Sequence, residues 1–241
     1  MVSLSVNINK IATLRNARGE NFPNLVNFAI DIENFGANGI TVHPRPDERH
    51  IKYKDVFELK NKIKTEFNIE GNPSKNFLKL VNSNKPTQVT LVPDGLNDIT
   101  SNKGWDTIKN ESFLKDCVEE LKESNIRTSI FVDPNLKMID GAKKIGSDRI
   151  ELYTKSYADN FNKNPSNAIL PYLNSSKHAQ NINIEINAGH DLNLKNIGFF
   201  SKSIINLKEV SIGHALICES LYFGIENTVK KYISILKSWI I

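Results

Sequence analysis

The sequence of 241 residues contains only two cysteines, and they stand about a hundred positions apart. Cys117 and Cys218 therefore lack the close spacing of a structural zinc site. Cys117 also falls on the apolar stripe of a helical pattern. We predict that both are reduced core residues, and we expect no metal ion.

Several other signals are missing. There is no Gly-x-Gly-x-x-Gly fingerprint, P-loop, Gly-x-Ser-x-Gly elbow, His-x-His or Glu-x-x-His pair. These absences argue against a nucleotide cofactor, serine hydrolase chemistry and a catalytic metal. No apolar run approaches the ~20 residues that span a membrane, and the N-terminus lacks a basic-then-apolar signal. We predict a cytoplasmic protein with no membrane partner and no cofactor.

Charge is moderate, with a formal net charge of +4 and 24% charged residues. The lysines are scattered, many on the polar sides of predicted helices, whereas nucleic-acid binding needs a clustered basic face. We therefore predict no nucleic-acid partner, although a non-enzymatic basic binding protein remains an alternative. Only six arginines occur, and four lie in the first fifty residues, which suggests local recognition of anions by planar guanidinium groups.

Short β-type runs alternate with longer segments whose apolar residues recur every three or four positions. This alternation implies parallel strands joined by crossover helices, and eight units in this length match a closed barrel. We predict one (β/α)₈ TIM barrel domain with extra helices over residues 1–241. Residues 160–181 are predicted to form a shortened or bent helix because Pro171 interrupts them. The predicted strands are 3–8, 39–43, 67–70, 88–92, 127–132, 149–153, 182–186 and 209–212.

Four of the five histidines fall at or just beyond the ends of these strands. Active sites of this architecture lie at the C-terminal ends of the strands, where His43, His50, His190 and His214 would meet. Grouped imidazoles move protons near neutral pH, which favours catalysis over a structural role.

Two carboxylates occupy similar positions but allow two interpretations. Glu70 and Glu151 either form ion pairs with neighbouring cations or act as bases whose pKa is set by a closed pocket. The Gly213-His214 pair follows the last strand, where barrels commonly bind phosphate at a helix N-terminus. With Arg18, Arg45 and His50 in the first two loops, we predict two anion sites.

The motifs resemble those of the pyridoxine 5′-phosphate synthase family. Residues 7–19 (NINKIATLRNARG) resemble its N-terminal signature, and 39–43 (GITVH) with Arg45 and 49–51 (RHI) resemble its second-strand motif. Residues 91–93 (LVP), 187–190 (NAGH) and 212–215 (IGHA) continue the resemblance in order. It covers essentially the whole chain.

The resemblance implies that two small phosphorylated substrates, 1-deoxy-D-xylulose 5-phosphate and 3-amino-2-oxopropyl phosphate, are condensed to pyridoxine 5′-phosphate, phosphate and water. By position, His43 and Glu70 resemble the family's proton acceptors, His190 its proton donor and Glu151 a carboxylate that stabilises a transition state. The family also implies a homo-octamer. The residues that resemble substrate-binding positions are Asn7, Asn9, Lys10, Arg18, Arg45, His50, Thr100, Asp191, Gly213 and His214.

The chain departs from the family pattern at two places. Many members carry Asp-His where this chain has Asn9-Lys10, and Gly where it has Asp191. If position 191 contributes only its backbone N–H, aspartate can supply that group as well as glycine can. The Asp191 carboxylate would then have to point away from a phosphate. Another phosphate-handling barrel, such as a phosphosugar isomerase, is the nearest alternative function. It would explain Gly213-His214 but not the remaining strand-end residues.

Overall fold

A computed structural model describes residues 1–95, 98 and 101–237 of the chain. Within them eight parallel strands close into a barrel in sequence order, which confirms the predicted fold. The predicted strand ends are displaced by a few residues, most of all for the seventh strand. The strands are β1 (Ser3–Asn7), β2 (Gly39–Val42), β3 (Glu66–Gly71), β4 (Gln88–Leu91), β5 (Arg127–Val132), β6 (Arg149–Leu152), β7 (Glu185–His190) and β8 (Leu207–Ile212).

Eleven helices within the same residues surround the barrel, more than the eight that the repeating unit requires. None of the described helices is long and apolar enough to cross a membrane. The helices are α1 (Asn9–Arg18), α2 (Leu25–Asn34), α3 (Tyr53–Lys60), α4 (Lys75–Asn84), α5 (Glu111–Glu123), α6 (Leu136–Ile145), α7 (Lys155–Phe161), α8 (Pro165–Asn181), α9 (Ile197–Ser203), α10 (His214–Phe223) and α11 (Ile225–Lys237).

The barrel interior is polar, and the apolar core lies between the strands and the helices. Strand residues alternate between the two sides, so Leu4 and Val6 pack outward while Ser5 points inward and its hydroxyl contacts that of Thr41 at 2.7 Å. The amide of Asn187 on β7 donates to Gln88 on β4 at 3.4 Å, a contact that must cross the interior because these strands are not neighbours. Many barrels fill this space with branched apolar side chains. Here a hydrogen-bonded network fills it.

The prediction of a shortened helix over 160–181 was wrong, because the proline does not end the helix. Two helices occupy the region, and α8 runs for 17 residues with Pro171 inside it. Tyr172 is buried beside the proline, and its hydroxyl donates to the carbonyl of Tyr153 at 2.8 Å. Tertiary packing therefore stabilises the helix despite a cost of about 3 kcal/mol for an internal proline.

Two residue environments also differ from the predictions. Cys117 is buried as expected, but Cys218 is exposed on α10. Arg15 does not face an anion site, because it is buried and both of its terminal nitrogens contact the Asp55 carboxylate at 2.8 Å. This pair ties α1 to α3 and gives Arg15 a structural role.

Candidate active site

The first part of the site lies where β1 and β2 end. His43 follows β2 directly, and its backbone N–H donates to the side-chain oxygen of Asn9 at 2.9 Å. Asn7 ends β1, and its amide donates to Glu70 on β3 at 3.4 Å across the barrel mouth. Two asparagine side chains of the β1–α1 turn thus hold a histidine and a carboxylic acid at the same end of the barrel.

The second part of the site is the buried guanidinium group of Arg45, two residues after His43. The Arg45 guanidinium donates to the Asp94 carboxylate at 2.5 Å and to the carbonyl of Asp98 at 2.7 Å. The rings of His43 and His50 are 6.3 Å apart. Burial, followed by the charge of Arg45, lowers the pKa of His43 well below its usual value, so its imidazole is neutral at neutral pH.

His50 is neutral for the same reasons, since burial and Arg45 lower its pKa to about 4. Its Nδ1 accepts the backbone N–H of Ile51 at 2.9 Å. The proton of the neutral ring therefore lies on Nε2, which leaves one N–H to donate to a ligand.

Glu70 reaches the barrel mouth, where part of its side chain meets solvent. Protein nevertheless surrounds most of the carboxyl group. This burial, then the charges of Glu151 and Asp94, raises its pKa well above the ordinary value. A carboxylate formed there is a stronger base than one in water.

Glu151 lies deeper and is only 4% exposed. One of its oxygens lies 3.3 Å from the point where a β-carbon on Gly189 would stand. The same β-carbon would lie 2.3 Å from the carbonyl oxygen of Ser211, so only glycine fits between β6 and β8. Burial, with the charge of Glu209 second, raises the pKa of Glu151 to about 8.

His190 ends β7 in the left-handed region, with φ of 56°. Its ring meets that of Tyr153 edge-on at 5.3 Å and that of Phe131 at 6.1 Å. A non-glycine residue held in this conformation is strained, and such strain concentrates at functional sites. Burial lowers the pKa of His190, whereas the charges of Asp191 and Asp94 oppose that change.

The turn between β8 and α10 lies at the mouth between the ends of β7 and β1. A β-carbon on Gly213 would lie 3.2 Å from that of Asn7, so the turn packs directly on the end of β1. His214 is exposed at the first position of α10, and its Nε2 lies 3.5 Å from the Cys218 sulfur. A ten-residue helix therefore begins at the mouth, the end that favours anions.

The remaining residues predicted for the site make fewer contacts with the groups described above. Lys10 is exposed on the first turn of α1 but close enough to His50 to lower its pKa. Arg18 is exposed at the last position of α1 and forms no ion pair within the described residues. One carboxylate oxygen of Asp191 is buried and has no hydrogen-bond partner in the described part of the chain. Thr100 lies outside the described residues.

Sequence reasoning missed two features of this end of the barrel. Asp94, directly after the LVP motif, pairs with Arg45 and accepts the Ser101 hydroxyl at 2.8 Å. Tyr153 and Phe131 form an aromatic wall beside His190. An acidic residue just past a strand end was a visible signal for Asp94, whereas the aromatic contact depends on the barrel's curvature.

The site brings together neutral imidazoles, carboxyl groups with raised pKa values and the buried guanidinium of Arg45. Such a set can accept and donate protons in succession while binding anionic groups. Within residues 1–95, 98 and 101–237, no group of three His, Cys, Asp or Glu side chains is arranged to hold a metal ion.

Comparison with known proteins gives a consistent picture. Residues 4–238 match the family model described as pyridoxal phosphate biosynthesis protein PdxJ. The chain is 60% identical to pyridoxine 5′-phosphate synthase from Christiangramia forsetii over 237 residues, covering 98% of this chain and 100% of the relative. It is 58% identical to the synthase from Flavobacterium johnsoniae with the same coverage.

Solved structures share the architecture at much lower identity. A 3-keto-L-gulonate-6-phosphate decarboxylase from Vibrio cholerae superposes with a TM-score of 0.66 at 11% identity, covering 99% of both chains. A thiamine phosphate pyrophosphorylase from Pyrococcus furiosus gives 0.62 at 13% identity, covering 98% of this chain and 95% of the other. At this identity the likeness extends to the fold alone.

Proposed function

Because the chain belongs to the PdxJ family of pyridoxal phosphate biosynthesis proteins, we infer that it catalyses the pyridoxine 5′-phosphate synthase reaction. The reaction joins 1-deoxy-D-xylulose 5-phosphate to 3-amino-2-oxopropyl phosphate and yields pyridoxine 5′-phosphate, phosphate and water. The observation that carries this function is the meeting of His43, Glu70 and His190 at one barrel mouth beside buried Arg45. Amine addition, loss of water and ring closure each move a proton, so several positioned acid–base groups are required.

The acid–base roles follow from the environments of the side chains. His43 acts as a proton acceptor because its lowered pKa keeps the ring neutral. Glu70 is the second acceptor, and its raised pKa makes the carboxylate strongly basic once formed. His190 is the donor, since burial makes its imidazolium a strong acid while Asp191 and Asp94 favour the protonated form. Glu151 stabilises charge that develops on the reacting intermediate.

The two phosphorylated substrates bind on different sides of the mouth. Gly213 and His214, with Asn7 and Arg18, bind the amino-oxopropyl phosphate at the start of α10, where unpaired backbone N–H groups favour an anion. The pentulose phosphate lies against Arg45 and His50, and the Nε2–H of His50 is suited to a phosphate oxygen. Asn9, Lys10 and Thr100 complete this second site, while Asp191 offers only its backbone, because its carboxylate would repel a phosphate.

Incubation of the purified protein with both substrates tests the function. We expect pyridoxine 5′-phosphate and inorganic phosphate to appear in equal amounts, and only when both substrates are present. Phosphate release from either substrate alone, without the pyridine product, would indicate a different phosphate-handling enzyme. Turnover should need no added metal or cofactor, so activity that a chelator abolishes and a divalent ion restores would contradict that part of the proposal.

Lys10 offers a test of the pentulose site. Its exposed ammonium contributes a screened Coulomb attraction that acts on the ground state and the transition state alike. We expect Lys10→Ala to raise KM for the pentulose phosphate roughly fivefold, equivalent to about 1 kcal/mol, with little change in kcat. Added salt should weaken wild-type binding more than binding by the variant.

The matched control is Lys54→Ala, an exposed lysine on α3, which should leave both constants unchanged. If Lys10→Ala leaves KM and its salt dependence at the wild-type values, Lys10 points away from the substrate.

We also propose that the protein assembles as a homo-octamer. Several large apolar side chains near α1 and at the end of α10 are exposed, and association between subunits would remove such surface from water. Sedimentation should give eight times the chain mass of 27.2 kDa, and a monomer at micromolar concentration would contradict the proposal. The exposed residues are Leu14, Phe22, Leu221, Tyr222 and Phe223.

A single functional domain over residues 1–241 and a cytoplasmic location stay predictions. The closed sheet supports the first, because both β1 and β8 belong to one ring of strands. Helix α11 also packs on β1 and α9, so the two ends of the described chain share one core.

A further inference from the structure

A second cluster of charged side chains lies in the barrel interior beneath the candidate catalytic groups. Its members, charged apart from one glutamine, come from the N-terminal halves of six strands and are connected by hydrogen bonds and ion pairs. We call this group the floor cluster, and none of its members belongs to the site described above. It comprises Glu66, Gln88, Arg127, Arg149, Glu185 and Glu209.

Strand register connects the floor cluster to Glu151. Glu151 is paired with Asn187 between β6 and β7, and Asn187 is paired with Glu209 between β7 and β8. Residues paired in register on neighbouring strands point to the same side of a sheet, which here is the interior. All three are buried, with at most 4% of each residue exposed. Two carboxyl groups thus share the interior with one amide between them.

The two carboxyl groups have different partners. A terminal nitrogen of Arg149 lies 4.0 Å from a Glu209 oxygen, and the positive charges of Arg149 and Arg127 both act on Glu209. Glu151 instead faces the hydroxyl of Thr90 and has no ion-pair partner within the described residues. A single negative charge shared by the pair is therefore more stable on Glu209.

We propose that Glu209 is a positioning residue for the reaction. Glu209 carries the single negative charge of the two carboxyl groups, which Arg149 stabilises. Glu151 therefore stays protonated and can donate a hydrogen bond to the reacting intermediate. The proposal rests on the proposed function for its role in turnover. It assigns Glu209 no contact with substrate, because Glu209 acts through Glu151.

The pKa directions agree with this geometry. Burial raises the pKa of Glu209 to about 7, and Arg149 opposes that change. Burial and then the Glu209 charge raise the pKa of Glu151 to about 8. Because two arginines oppose the rise at Glu209 and no cation opposes it at Glu151, Glu209 is the first of the two to lose its proton. The charged groups that face Glu209 from the surrounding strands are Arg149 and Glu151 on β6, Arg127 on β5, Glu66 and Glu70 on β3 and, through Arg149, Glu185 on β7.

Infrared titration of the substrate-free enzyme tests this coupling. At neutral pH the wild-type protein should show protonated-carboxyl absorption, of which Glu151→Gln removes one component and Glu70→Gln another; the component lost in Glu151→Gln is the Glu151 band. In Glu209→Gln the loss of a neighbouring negative charge should lower the pH at which this band disappears by about one unit. The alkaline limb of the kcat profile should move to lower pH by the same amount, while KM changes little. A merely structural role for Glu209 would change neither midpoint.

Two further variants separate charge from folding. Glu209→Asp keeps the charge and should keep the wild-type midpoint. Glu185→Gln removes another carboxylate bound to Arg149, at 2.9 Å, but its side chain is 41% exposed, so the midpoint should not move. If Glu209→Gln does not fold, the difference between the wild type and Glu151→Gln still tests the proposal, because equal protonated-carboxyl absorption in the two proteins at neutral pH contradicts it. An unchanged midpoint in folded Glu209→Gln would overturn it. The infrared measurement needs no substrate. A negative infrared result would therefore contradict the coupling of the two carboxyl groups, whereas a negative synthase assay would contradict the proposed function.

Discussion

Glu70→Gln is expected to lower kcat by roughly 10²–10⁴-fold, the usual contribution of a positioned acid–base group. The glutamine side chain keeps the shape of the glutamate and can still contact the Asn7 amide, which lies 3.4 Å from the carboxylate. It cannot accept a proton. Because the group acts during chemistry rather than in ground-state binding, KM for both substrates should stay near its wild-type value.

Steady-state assays with each substrate varied in turn would measure this effect, and thermal unfolding would verify the fold. Glu58→Gln is a suitable control, since Glu58 is an exposed carboxylate on α3 and its loss should leave kcat unchanged. Near-wild-type kcat in Glu70→Gln would assign Glu70 a structural role.

The largest effect on stability is expected from Asp55→Ala. Arg15 and Asp55 are 6% and 2% exposed, and the Asp55 carboxylate also accepts the backbone N–H of Lys52 at 2.8 Å. Removing the carboxylate leaves a buried guanidinium without its counter-charge. This change should lower the free energy of unfolding by about 3–5 kcal/mol. Urea denaturation would measure it, with the variant and the wild type compared at one protein concentration.

A double variant distinguishes the charge from the packing. Arg15→Met combined with Asp55→Leu replaces the pair with apolar side chains and should recover much of the loss. Glu226→Ala, which removes the exposed i,i+4 pair with Lys230, should cost less than about 1 kcal/mol. Equal losses in Asp55→Ala and Glu226→Ala would show that burial adds nothing to the Arg15–Asp55 pair.

The two arginines with buried ion pairs show how far sequence reasoning reached. Arg45 was predicted at an anion site and lies at the barrel mouth, but its guanidinium is already held by Asp94. Arg15 is one of the four arginines in the first fifty residues whose grouping suggested anion recognition, yet it points between α1 and α3. A shift of one residue turns a side chain by about 100° around the helix axis, so the side of α1 that an arginine faces depends on where the helix begins. No residue pattern near Arg15 indicates its partner forty positions away.

The sequence by itself determined the alternation of strands and helices, and hence the barrel and the meeting of His43, Glu70 and His190 at one end. The reason is that alternation forces parallel strands, whose C-terminal ends all meet at the same mouth. Only the tertiary structure decided the pKa of each group, the course of α8 through Pro171 and the row of Glu151, Asn187 and Glu209. These features depend on burial and on contacts between distant strands, which local spacing does not encode.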